Sequence, residues 1–152
     1  MLEPGQPAPD FTLHDQNDKP VTMSGLKGKP IVLYFYPKDD TPGCTKEACG
    51  FRDAFAEYKK AGAVILGVSP DDTASHAKFA KKFDLPFTLL ADEGSKVCAA
   101  YGVWKEKNMY GKKYMGVERT TFVIDAKGTV KTIFAKVKVD GHVDEVLEAI
   151  KS

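Results

Sequence analysis

A chain of 152 residues, 43% hydrophobic and 28% charged, has the apolar content for one domain over 1–152 with a sizeable core. Its formal net charge of +1 excludes nucleic acid or an anionic membrane surface as an electrostatically driven main partner. No charged-then-apolar leader follows Met1 and no apolar run approaches the roughly 18 residues of a membrane span, so a reducing cytoplasm is the expected location.

The first ten residues carry Pro4, Gly5, Pro7 and Pro9, an extended lead-in. Short strand patterns at 11–13 and 21–23 flank the turn Asp15-Gln16-Asn17-Asp18, which predicts an amino-terminal β-hairpin. Residues 31–36 form a continuous apolar run rich in β-branched and aromatic side chains, the pattern of a central strand covered on both faces. Pro37 ends it, since proline has no N–H to give a ladder. From 41 to 60 the period changes: Ala48, Phe51, Phe55 and Tyr58 recur at helical steps, predicting one amphipathic helix closed by Gly62. A buried-type strand over 63–68, a helix over 73–83 with Phe79, Ala80 and Phe83 inward, a strand over 87–90 and a short helix over 95–101 follow. The polar stretch 105–116 reads as a loop or edge hairpin. Strands at 120–124 and 130–134 flank the turn Asp125-Ala126-Lys127-Gly128, and Val143, Val146, Leu147 and Ile150 mark a last helix. Alternating strands and helices that end in a hairpin and a helix predict a thioredoxin-like α/β fold, a mixed sheet flanked by helices with an amino-terminal hairpin extension.

The chemistry concentrates in Pro37-Lys38-Asp39-Asp40-Thr41-Pro42-Gly43-Cys44, with Cys49 five residues on. With Thr41 as N-cap and Pro42 as the first helical residue, Cys44 falls in the first turn. Backbone N–H groups there lack intrahelical partners, and with the helix dipole they favour an anion such as a thiolate, the nucleophilic form of the thiol. Gly43 leaves room for a small ligand near the backbone. Thr41 can cap the helix, present its hydroxyl to a substrate, or both. A capped helix with an incidental cysteine is an equally open reading of this local pattern. The spacing itself carries one consequence. Residues five apart in a helix differ by about 7.5 Å of rise, with Cα atoms roughly 8 to 9 Å apart, beyond the ~7 Å reach of a disulfide. A Cys44–Cys49 bridge would therefore require the first turns to unwind.

Pro37-x-x-x-Thr41-x-x-Cys44 resembles the signature of the peroxiredoxins. The longer string from Tyr36 to Thr45, with Glu47-Ala48-Cys49, is similar to the PrxQ branch, also called bacterioferritin comigratory protein. The resemblance extends to Pro7-x-Pro9-x-Phe11-x-Leu13, Gly67-Val68-Ser69, Leu89-Leu90-Ala91-Asp92, Tyr101-Gly102-Val103-Trp104 and Arg119-Thr120-Thr121-Phe122-Val123-Ile124-Asp125. It implies a thiol peroxidase acting in antioxidant defence on hydrogen peroxide and organic hydroperoxides. In that reading Cys44 is the peroxidatic cysteine, oxidised to a sulfenic acid, and Thr41 bonds the peroxide. Pro37 shields the site, and Arg119 stabilises the thiolate and the developing charge. Thr41, Gly43, Cys44 and Arg119 form the substrate site, and Cys49 is the resolving cysteine of an intrachain disulfide. The implied partners are a hydroperoxide and thioredoxin or a glutaredoxin-like reductant, with no metal or organic cofactor. A monomer is expected, with a weak dimer as the alternative.

Other features carry less. Three cysteines are an odd count, so one is left over, and Cys98 among small apolar residues reads as a buried thiol. Relatives that resolve with a cysteine in the helix before Phe83 have alanine and lysine as counterparts in this chain. His14, His76 and His142 read as surface or turn residues. The lysines of 105–113, near Trp104 and Tyr110, read as a solvated loop. A thioredoxin-like disulfide exchanger is disfavoured because its C-x-x-C is C-x-x-x-x-C here. A redox-regulated chaperone or peroxide-signalling protein is the alternative of another class.

Overall fold

The apolar run beginning at Ile31 forms β3 (Ile31–Phe35), and every residue in it is buried. In this computed structural model, which describes residues 2–152, β3 is an interior strand, between β4 and β8, of a seven-stranded sheet of order β2-β1-β5-β4-β3-β8-β9. The other strands are β1 (Thr12–Asp15), β2 (Pro20–Thr22), β4 (Val64–Ser69), β5 (Thr88–Ala91), β8 (Thr120–Ile124) and β9 (Val130–Phe134). β3, β4 and β5 are parallel, while β8 runs antiparallel to β3 and β9 to β8. The helices α1 (Pro42–Asp53), α2 (Phe55–Lys60), α3 (Thr73–Phe83), α4 (Lys96–Ala100) and α5 (His142–Lys151) flank it. The two faces of β3 separate two apolar clusters. Leu33 and Phe35 pack with Leu66, Tyr101 and Phe122, and Val32 and Tyr34 pack with Phe51, Tyr58, Phe79 and Val146. This is the thioredoxin-like arrangement that the pattern predicts.

The amino-terminal hairpin is part of the main sheet. β1 pairs antiparallel with β2 on one side and β5 on the other, around a turn in which Asp18 N–H donates to Asp15 O. Beside it, Gln16 donates from Nε2 to Phe87 O and accepts from Leu89 N–H through Oε1. The stretch 105–116 lies in a hairpin, β6 (Trp104–Met109) with β7 (Lys112–Val117), which forms its own two-stranded sheet.

Two expectations need correction. The single helix over 41–60 is two helices. Ala54 has φ −96° and ψ 5°, and its N–H is shared between the Gly50 and Arg52 carbonyls, which tightens the chain locally without a proline or glycine to announce it. The histidines are not all at the surface. His14 is exposed, but His76 and His142 are fully buried and hydrogen-bonded through both ring nitrogens. His76 shares the apolar face of α3 with Phe79, Ala80 and Phe83, and that three-, four- and seven-residue spacing was the available signal. Burial holds His142 below the usual histidine range, against the pull of Glu145.

Candidate active site

Sheet register brings together residues far apart in sequence. Phe35 of β3 lies opposite Thr120 of β8. The chain leaving β3 at Tyr36-Pro37 therefore emerges beside the chain entering β8 at Arg119. Arg119 is held in the link between β7 and β8, where its carbonyl accepts from Val137 N–H at 3.0 Å and Glu118 N–H donates to Val103 O at 2.8 Å. Pro37 is partly buried at the start of the loop that leads into α1.

Cys44 is in the first turn of α1, with 2% of its surface exposed. Arg119 Nη2 donates to Cys44 Sγ at 3.2 Å, and Nη1 donates to Glu47 Oε1 at 2.7 Å. The guanidinium thus spans a thiol and a carboxylate one turn apart on the same helix. Its approach depends on Gly43, where a Cβ would stand 3.2 Å from Arg119 Nη2. Thr41 occupies the N-cap position in extended backbone, but its side chain makes no capping bond. Its hydroxyl instead donates to Lys38 O at 2.9 Å, which leaves its oxygen lone pairs at the helix start.

The loop between Pro37 and Thr41 is pinned from below by Asp39. The Asp39 carboxylate accepts from Tyr36 OH at 2.5 Å and Ser75 Oγ at 2.8 Å, and lies 2.7 Å from His76 Nδ1. Its N–H donates to Asp71 Oδ2 at 2.8 Å, and His76 Nε2 bonds Leu90 O at 2.9 Å. Asp39, Asp71 and His76 are close enough to suggest a metal site, but these bonds already satisfy them.

Glu47 is the site residue that motif reading missed. It is fully buried, and Oε2 has no hydrogen-bond partner among the described residues. Burial outweighs the Arg119 charge and pushes its carboxyl up to about 7. The available signal was the series Cys44, Glu47, Ala48, Phe51, which sets a carboxylate on the apolar face of α1. Nearby, Tyr34 OH is also unpartnered, and burial followed by the Glu47 charge holds it well above the usual tyrosine range.

Cys49 lies further along α1 and is half-buried, and all three cysteines are free thiols. It borders a groove of about 370 Å³ between α1 and the start of α5, lined also by Lys46, Asp53, Asp140 and Val143. Lys46 pairs with Asp140 across that groove. Cys98 is fully buried, and burial, with Asp92 beside it, pushes its thiol far above the usual range. That suits a packed core residue better than a nucleophile.

Residues 4–133 match the AhpC/TSA family. The chain is 56% identical over 146 residues to the bcp peroxiredoxin of Coxiella burnetii, covering 96% of this chain and 97% of that one. It is 51% identical over 150 residues to peroxiredoxin Bcp of Bacillus subtilis, covering 99% and 96%. Among solved structures, the bacterioferritin comigratory protein of Xanthomonas campestris, studied for alkyl peroxide reduction in trapped-intermediate and ligand complexes, superposes with a TM-score of 0.89. That match has 45% identity and covers 93% of this chain and 90% of that one. A buried cysteine in a helix's first turn against an arginine, on this fold and with these relatives, places the chain in the AhpC/TSA family, on its Bcp/peroxiredoxin Q branch, as a thiol peroxidase.

Proposed function

We propose that Cys44 is the peroxidatic nucleophile and that the whole chain acts as one domain around it. The single observation carrying this reading is the 3.2 Å bond from Arg119 Nη2 to a buried Cys44 Sγ in the first turn of α1. The thiolate attacks the terminal oxygen of the hydroperoxide. An S–O bond forms as the O–O bond breaks, sulfur is oxidised to a sulfenic acid, and the alkoxide or hydroxide leaves and takes up a proton. A stabilised thiolate alone is a weaker nucleophile, so rate must come from donors aimed at the charge that develops on the peroxide oxygens. Arg119 and the free N–H groups of the first turn supply them, while the Thr41 oxygen, its O–H committed to Lys38 O, accepts the hydroperoxide's own O–H. Gly43 serves the substrate site by letting Arg119 close on Cys44, and Pro37 and the Asp39 anchor keep the loop shut against water.

Cys49 resolves the sulfenic acid. Its sulfur attacks Cys44 Sγ, water leaves, and an intrachain disulfide forms once the first turns of α1 have unwound. A dithiol donor such as thioredoxin, or a glutaredoxin-like protein, returns two electrons and two protons. The setting that fits three free thiols is a reducing cytoplasm, and among the described residues no helix is long and apolar enough to cross a membrane. A monomer suffices, since every proposed group comes from one chain.

The test is peroxide consumption coupled to a thioredoxin system. Cys44→Ser is expected to fall to the rate without enzyme. Cys49→Ser is expected to lose steady-state turnover while still reducing one equivalent of peroxide. Undiminished consumption by Cys44→Ser would refute the mechanism, and full thioredoxin-coupled turnover by Cys49→Ser would remove Cys49 from its role.

A further inference from the structure

The hydroxyl of Thr41 turns away from its own helix. At an N-cap position in extended backbone, a threonine oxygen ordinarily accepts from the second or third N–H of the first turn. Here it makes no such bond, and its O–H reaches back three residues to Lys38 O at 2.9 Å. The chain takes this path through Asp40, whose φ of 57° lies in the left-handed region that aspartate tolerates better than most residues. Such a residue persists only where its surroundings hold it. The Lys82–Asp40 pair is exposed and holds little.

The stronger hold comes from the link between β4 and α3. The carbonyl that accepts from Thr41 and the N–H of Asp39 belong to one planar trans peptide, so they point in opposite directions. That N–H donates to Asp71 Oδ2 at 2.8 Å. A carboxylate on one side of a peptide fixes its plane and polarises it, which strengthens the carbonyl on the other side as an acceptor. Asp71 is itself fixed. Its Oδ2 also accepts from Ser69 Oγ at 2.6 Å, and its N–H donates to that oxygen at 3.2 Å. Ser69 is fully buried at the end of β4, opposite Ala91 of β5. A chain of contacts thus runs from the sheet through Ser69, Asp71 and one peptide to Thr41. It bypasses the Asp39 carboxylate, which Tyr36, Ser75 and His76 occupy.

We propose that Asp71 is a positioning residue of the peroxide site: through the Lys38–Asp39 peptide it directs the Thr41 O–H backward, so that the Thr41 oxygen faces the substrate as an acceptor. This rests on Cys44 being the nucleophile and on Thr41 accepting the hydroperoxide's O–H. Released from that peptide, the Thr41 side chain would turn to cap α1. Its lone pair would then be occupied, and it would cover N–H groups of the first turn that serve the reacting oxygens. Asp71 touches neither the thiol nor the substrate, and its effect reaches the reaction through Thr41.

A double-mutant cycle tests it, read by single-turnover reduction of hydrogen peroxide by pre-reduced protein. Thr41→Val is expected to slow the reaction roughly 100-fold and Asp71→Ala roughly 10-fold. In the Thr41→Val background, Asp71→Ala is expected to change the rate by no more than about two-fold. Asp71→Asn is isosteric, keeps an oxygen for the Asp39 N–H, and is expected to recover most of the rate. Alkylation of Cys44 by iodoacetamide, followed by mass spectrometry of its peptide, needs a thiolate but no acceptor for a hydroperoxide. It is expected to match wild type in both Asp71 variants, which a loosened loop would not allow. A full peroxide rate in Asp71→Ala, an Asp71→Asn as slow as Asp71→Ala, full additivity in the Thr41→Val background, or altered alkylation would each overturn the positioning role. A full rate in Thr41→Val would instead remove the reading of Thr41 beneath it, and peroxide reduction by Cys44→Ser would overturn the assignment of the nucleophile.

Discussion

Glu47 occupies a position on α1 where the helical period calls for an apolar side chain, and the cost of putting a carboxylate there is visible in its environment. One oxygen meets Arg119 and the other meets nothing. Because burial raises the carboxyl from 4.5 to about 7, the folded state holds the proton more tightly than the unfolded chain does. The stability this gives is fully present below about 4.5 and is lost as pH rises through about 7. Reduced wild-type protein should therefore lose stability relative to Glu47→Gln across that window, as chemical denaturation at a series of pH values would measure. A stability difference that does not vary over the window would contradict the account. The same proton redistributes Arg119: with Glu47 neutral, the guanidinium has one anion to serve, Cys44. Sequence made Cys44 and Thr41 legible because helix-start chemistry is local. Glu47 was hidden because its partner is 72 residues away, and Arg119 by itself reads as a solvated cation that only the longer resemblance singled out.

The proposed Cys44–Cys49 bridge requires α1 to move, and the packing of α1 divides it into two parts. Beyond Gly50 it is locked. A Cβ at Gly50 would stand 2.9 Å from Val143 Cγ2 of α5, and the Phe51 ring stacks 4.8 Å from Tyr34 and meets Tyr58 edge-on at 5.6 Å. Before Gly50, Thr45, Lys46 and Cys49 face outward or only partly inward, and the anchors are Cys44, Glu47 and Ala48. Unwinding for a Cys44–Cys49 bridge is thus expected to stop at Gly50. Hydrogen exchange on the oxidised protein, with the bridge confirmed by mass spectrometry, should show amides 45–49 losing protection while those from Asp53 through Tyr58 keep it. Protection unchanged along all of α1, or lost along all of it, would refute this division. The break at Ala54 was illegible because it comes from shared hydrogen bonds rather than from a breaker residue. The interior strands β3, β4 and β8, by contrast, were legible nearly to the residue, since each is a run of apolar and β-branched residues between turn signals.

At the scale of the whole molecule, the order of the sheet turns a local helix-start motif into a site, because the antiparallel pairing of β3 with β8 fixes Arg119 beside Cys44. Periodicity predicts a mixed sheet but carries no information on which strands are neighbours, so that pairing was not readable from the chain alone. The coupling of site to fold has a thermodynamic consequence. A disulfide between residues so close in sequence restricts the unfolded chain little, roughly 2 kcal/mol. Forming it removes helical hydrogen bonds, each worth about 1 kcal/mol, together with the burial of Ala48 and the Arg119–Cys44 contact. The oxidised protein is therefore expected to melt below the reduced one, the reverse of the usual effect of a disulfide. Calorimetry of the two forms decides it, and a higher Tm for the oxidised form would refute it. The docking of β1 against β5 matters for another property. A central parallel strand with a bare flank is a template on which other chains can add and grow into fibrils. Here the chain's own first hairpin occupies that flank, and Gln16 seals its end by imitating a strand's amide to Phe87 and Leu89. If the proposed bridge forms, a helix loosens at each oxidation while the most adhesive edge stays closed.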